Sequence, residues 1–156
     1  MNEVTEQELV SELVGGAERD EILTKFMSPL TAIHFENYLY FFADKLCESY
    51  SGGMWDIHSI SRNGKVESVY FDLGRDINEL VEVESMGWQR NVTCTWKAMG
   101  AAMSLMAYSQ LSMRLHETDP EQAQQVSEAF HTLREFVMHT KEFTEEEQQQ
   151  ILKIID

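Results

Sequence analysis

Apolar positions along the chain switch between helical and strand spacing, and glycine, proline or a capping residue marks each switch. Leu9 with Leu13 and Val10 with Val14 repeat at four residues behind Thr5 and Glu8, which have capping-box spacing, so the pattern predicts a short helix over 3–14 that Gly15-Gly16 stops. Ser28-Pro29 reads as N-cap and first helical residue. From there Phe35, Leu39, Phe42, Leu46 and Tyr50 recur at three and four residues and predict a helix to about Tyr50. The interleaved Tyr38, Tyr40 and Phe41 widen its apolar face, which predicts burial between a sheet and another helix.

Ser51-Gly52-Gly53 then breaks the chain, and the spacing shifts toward two. Met54 to Ile60 alternates imperfectly, Asn63-Gly64 has the residues that a tight type I′ hairpin turn demands, and Lys65 to Leu73 is the return strand. Leu80 to Ser85 alternates cleanly as a third strand with an acidic outer face. Met86-Gly87 turns, and Trp88 to Cys94 makes a fourth strand. Short connections imply an antiparallel meander.

Thr95 caps a helix over about 96–116 that is small and apolar nearly all round and therefore central. Its methionines read as gap-filling core. Asp119-Pro120 opens a helix to about Thr140, with a buried stripe of Val126, Phe130, Leu133 and Val137. Thr144 and Glu147 form a second capping box before a last short helix. The expected fold is α+β: a four-stranded antiparallel meander packed with about five helices. One domain fits 156 residues, with residues 1–27 an acidic extension bearing a short helix and 28–156 the body.

Charge alters this picture most. The chain carries 27 Asp and Glu against 12 Lys and Arg, a formal −15, so it repels nucleic acid and anionic lipid, which are bound mainly through cations. Acidity of this kind either keeps a protein soluble or attracts basic proteins and proteins that normally hold nucleic acid. Cys47 and Cys94 form no CxxC pair, so neither a disulfide framework nor a structural zinc site is indicated, and free thiols fit a reducing cytoplasm. The N-terminus lacks the basic flank and apolar core of a signal peptide, and no apolar run reaches membrane-spanning length.

Candidate chemistry is sparse. His131, Glu135 and His139 fall at i, i+4 and i+8, but eight residues span about 12 Å, so the outer pair cannot share a metal ion unaided. His58 near Trp55 is a candidate general base without a sequence partner, and His34 beside Glu36 reads as helix surface. Dinucleotide, P-loop and nucleophile-elbow motifs are missing. These residues indicate no enzyme and no cofactor.

Order and spacing of the structural motifs carry more. The run Leu46-Cys47-Glu48-Ser49-Tyr50-Ser51-Gly52-Gly53-Met54-Trp55, then Ile57-His58-Ser59-Ile60-Ser61 and Asn63-Gly64, resembles the signature of the ArdB/KlcA antirestriction family. Thr95-Trp96-Lys97-Ala98-Met99-Gly100, Leu105 to Leu111, Phe130 to Phe136 and Ile154-Ile155-Asp156 are similar to its later segments, so the resemblance covers about 33–156. It implies a small α+β protein of plasmids, phages or other mobile elements that inhibits type I restriction-modification enzymes by protein contact, without catalysis.

The chain departs from the family around the hairpin: Arg62 is an added residue, and Lys65-Val66-Glu67-Ser68 replaces the family's Gly-Phe-Tyr-Met. The candidate partner surface is therefore Arg62, Asn63, Lys65 and Glu67, together with the acidic stretch Asp72, Asp76, Glu79, Glu82 and Glu84. The expected partner is a protein such as a type I restriction subunit, with no direct nucleic acid or membrane contact, and the chain itself is a monomer or weak dimer. An acidic interaction module of the same fold with a different partner is the alternative.

Overall fold

The computed structural model describes residues 8–85 and 90–156. In chain order these form β1 (Val10–Leu13), two short 3-10 turns (Gly16–Asp20 and Leu23–Lys25), α1 (Pro29–Leu46), β2 (Asp56–Arg62), β3 (Lys65–Asp72), β4 (Leu80–Glu84), β5 (Asn91–Thr95), α2 (Trp96–Leu115), α3 (Pro120–His139) and α4 (Glu145–Ile155).

The helix starts follow the capping residues. Ser28 accepts from the Thr31 N–H, Thr95 from Ala98, Asp119 from Gln122 and Thr144 from Glu147, each satisfying a donor that the first helical turn leaves free. Helix α1 ends at Leu46 rather than near Tyr50, because Cys47 turns to extended backbone. Tyr50 instead closes a turn onto the Cys47 carbonyl, and its hydroxyl accepts from the Trp55 indole at 3.2 Å.

The N-terminal expectation changes. The Thr5 cap lies outside the described residues, and Val10–Leu13 is a strand paired antiparallel with β2 from Val10 opposite Ser61 to Leu13 opposite His58. A helix of that length is marginal alone, so pairing with an existing strand overrides it. Leu9, Val14, Ile22, Leu23 and Met27 enter the core, whereas Val10 and Leu13 stay exposed.

The four-stranded meander is replaced by two sheets, one of order β1-β2-β3 and one of β4-β5. The reason lies on the far edge of β3, where α2 occupies the place of a fourth strand. Ser104 accepts from the Phe71 N–H at 3.0 Å, and the Tyr108 hydroxyl accepts from the Val69 N–H and donates to the Val69 carbonyl, both at 3.1 Å. These side chains satisfy groups that a further strand would have paired. A Cβ on Gly100 would lie 2.0 Å from the Phe71 carbonyl oxygen, so only glycine lets the helix backbone come this close. Five helices become four α-helices among the described residues.

Asn63 and Gly64 sit at φ 56° and 76°, as the type I′ turn requires, with Arg62 opposite Lys65. The hairpin pairing is not regular throughout. The β2–β3 register passes from Ile60 opposite Ser68 to Ser61 opposite Val66, leaving Glu67 as the extra residue of a bulge. Beyond, β4 and β5 pair from Leu80 opposite Thr95 to Glu84 opposite Asn91, while the Met86-Gly87 turn and Trp88 lie outside the described residues.

Helix α2 is the centre, buried from Ala98 through Tyr108 and packed against α1, α3, α4 and β3. Its methionines divide: Met99 and Met103 are enclosed, Met106 is nearly so, and Met113 is exposed. One buried carboxylate joins two helix starts. Glu147 completes the α4 capping box by accepting from the Thr144 N–H at 3.0 Å, and its other oxygen accepts from the Thr95 hydroxyl, the cap of α2, at 2.6 Å.

Candidate interaction surface

The hairpin tip and the acidic stretch, adjacent in sequence analysis, have separate surroundings. At the tip, Asn63 and Lys65 are exposed. Arg62 is partly exposed and paired: its guanidinium donates to Glu135 on α3 at 2.6 Å, and its Nε lies 3.6 Å from Glu67. Arg62 and Glu67, candidate contact residues from the sequence, are partly exposed and also link the bulged hairpin to α3. Lys65 and Glu67 line a cleft with Lys25, Phe26 and His131, whereas Arg62 and Glu135 line another with His139 and Lys141.

Asp72 ends β3 and accepts from the Gly74 N–H at 3.0 Å. Asp76 accepts from the Asn78 N–H at 2.8 Å and closes the next turn. Glu79 and Glu82 are exposed and Glu84 half-buried, while Val81 and Val83 face inward, so the acidic outer face of this strand is present as the alternation predicts. Exposed Leu80 and Ile77 lie among these carboxylates.

The catalytic candidates have structural surroundings. His58 stacks flat on Tyr70, with ring centres 4.7 Å apart, and its Nε2 is 3.9 Å from Asp72, beyond hydrogen-bond reach. Burial lowers its pKa, and Asp72 and Asp56 pull the other way. Burial pushes the Cys94 thiol up to about 12 and raises Cys47, so both thiols stay protonated and poorly nucleophilic. Glu135 of the spaced triad is held by Arg62, and among the described residues no group of three metal-ligating side chains converges. No described helix is long and apolar enough to cross a membrane.

The sequence reading missed the outer side of α1. Phe35, Leu39, Phe42 and Leu46 are buried as its stripe predicts, but the interleaved Tyr40 and Phe41, with Leu30 and Ile33, are exposed. Their mutual spacing of three, seven and eight residues was the available signal.

Comparison with known proteins places this architecture. The family model described as antirestriction protein matches residues 48–156. The antirestriction protein KlcA of Escherichia coli is 28% identical over 131 residues, covering 84% of this chain and 87% of KlcA. A solved structure of the KlcA and ArdB proteins has a TM-score of 0.75 at 27% identity, with 100% of both chains covered; those proteins are described as having a novel fold and antirestriction activity against Type I DNA restriction systems in vivo but not in vitro. The family model spans more than half of the chain, and the chain belongs to the ArdB/KlcA family of antirestriction proteins.

Proposed function

We propose that this protein inhibits type I restriction-modification enzymes in the cytoplasm by protein contact, protecting the DNA of a plasmid, phage or other mobile element that encodes it. The observation that carries this reading is the end-to-end similarity to the KlcA and ArdB structure, whose proteins act against type I systems in vivo. A formal charge of −15 favours contact with protein over contact with DNA. The contact surface proposed is the hairpin tip at Arg62, Asn63, Lys65 and Glu67 with the acidic stretch Asp72, Asp76, Glu79, Glu82 and Glu84, and residues 28–156 are its carrier. Asp72 and Asp76 also shape its turns.

Those relatives act in vivo but not in vitro, so the test belongs in cells. Unmodified phage is plated on a type I restricting host with and without the protein expressed. Plating efficiency rises with expression. Unchanged restriction at an equal level of folded protein refutes the proposal.

A further inference from the structure

A cleft of about 350 Å³ opens over the outer side of α2, between α1 and α3, with the end of α4 closing it. Met106 and Met113 lie along its floor, and Phe42 and Phe130 form its walls. Phe42 and Met106 are almost fully buried, but Met113 is 63% exposed, and so is over half of Phe41, whose ring packs edge-on against Phe42 with centres 5.6 Å apart. Apolar surface thus runs from the cleft onto the outside of α1. Its residues lie outside the surface proposed above for restriction enzymes.

The rim departs from the rest of the molecule in charge. Of 12 cations set against 27 acids, three gather here. Arg134 lines the cleft, Arg114 donates to the Tyr38 hydroxyl at 3.1 Å beside the Phe42 ring, and the Lys45 ammonium lies 5.5 Å from the centre of Phe41. Asp156 lines one end and exposed Asp44 adjoins Lys45. Salt screens the molecule's overall field beyond about 8–10 Å, so these nearby charges, rather than the total, act on what seats in the cleft.

A trough between two helices with a third as its floor is the geometry that another helix fills by packing ridges into grooves. Methionine and aromatic side chains line such helix-accepting grooves because they adapt to the incoming apolar stripe. We infer that this cleft docks an amphipathic helix of a partner protein, its apolar stripe flanked by Asp or Glu residues that meet Arg134, Arg114 and Lys45. The cleft admits one or two anchoring side chains, and the exposed Phe41 and Met113 flank the helix that carries them.

The test is fluorescence anisotropy of a labelled synthetic helix of about 16 residues, with Leu at i, i+3, i+4 and i+7 and Glu beside the stripe, titrated with the full chain. Its counterpart carries Lys in place of Glu. The Glu helix binds and the Lys helix binds at least about tenfold more weakly. Met113→Asp weakens the Glu helix about tenfold or more, and Arg134→Glu shifts preference toward the Lys helix. Both positions are exposed, so thermal melts of these variants match the parent. No binding, or equal binding of the two helices, overturns the inference. A dimer seen by sedimentation that Met113→Asp abolishes overturns it too, by placing a second copy in the cleft. Plating on a restricting host reads the restriction contact separately, so failure of one leaves the other standing.

Discussion

Gly100→Ala sets two physical effects of opposite sign against each other. Alanine is the better helix former by about 1 kcal/mol in a helix interior, so on propensity alone α2 gains. The new methyl, however, would lie 2.0 Å from the Phe71 carbonyl oxygen, 3.0 Å from its carbon and 3.1 Å from the Asp72 Cα. All three are backbone atoms of β3, and none can swing aside as a flexible side chain would. The helix must retreat by roughly 1 Å or more to restore ordinary carbon–oxygen contact.

That retreat stretches the bonds from Ser104 to Phe71 and from Tyr108 to Val69, which stand at 3.0 and 3.1 Å. Strain from an added methyl in a packed core costs about 1–3 kcal/mol, and each buried polar group left unpaired costs about 1–3 kcal/mol. Against the propensity gain, the net expected loss is about 2–5 kcal/mol, a large share of the ordinary 5–15 kcal/mol of a domain. For a chain of this size that lowers the melting midpoint by about 5–15 °C. Urea unfolding followed by circular dichroism measures it, with Gly15→Ala as control, since a Cβ there meets nothing within 4 Å. A Gly100→Ala protein as stable as the parent, or more stable, refutes the close-approach argument.

Other expectations follow from the same structure. Tyr108→Phe deprives the buried Val69 N–H and carbonyl of their partner and lowers unfolding free energy by about 2–4 kcal/mol, read by urea titration. His58 has its folded pKa lowered from 6.5 by burial, so the unfolded chain binds more protons, and the stability due to neutral His58 is complete above about pH 6.5 and lost as pH falls through the lowered value. Urea midpoints of the parent and His58→Gln therefore draw together or cross as pH drops from 7 toward 5 on the usual histidine scale; a constant difference contradicts the assignment. Cys47 and Cys94 are both fully buried with raised pKa values, so a disulfide reagent at about pH 8 labels neither until urea unfolds the chain.

Local chemistry was legible where one residue dictates one geometry. The caps at Ser28, Thr95, Asp119 and Thr144 and the turn at Asn63-Gly64 stand where the sequence reading puts them. Failures came where a distant partner decides. Leu9 to Val14 fits a helix until β2 offers hydrogen bonds, and β3 invites a fourth strand until Tyr108, 39 residues on, seals its edge. The ion pair of Arg62 with Glu135, 73 residues away, is likewise invisible from its neighbours in sequence. On α1 the periodic stripe placed Phe42 inside, but the extra aromatic rings suggested burial of Phe41 as well, which the docked helices leave exposed.

The side-chain seal along β3 also makes two amides reporters of a distant event. In an ordinary sheet, a strand's N–H exchanges with solvent when the neighbouring strand peels away. The Val69 and Phe71 N–H groups have α2 hydroxyls as acceptors instead, so fraying of the hairpin does not release them. They open when α2 undocks, and α2 is the centre of the molecule. Their hydrogen-exchange rates therefore track global unfolding, while backbone amides elsewhere in the hairpin exchange by smaller openings. Two alternate positions of one strand are enough to follow the cooperativity of the whole fold.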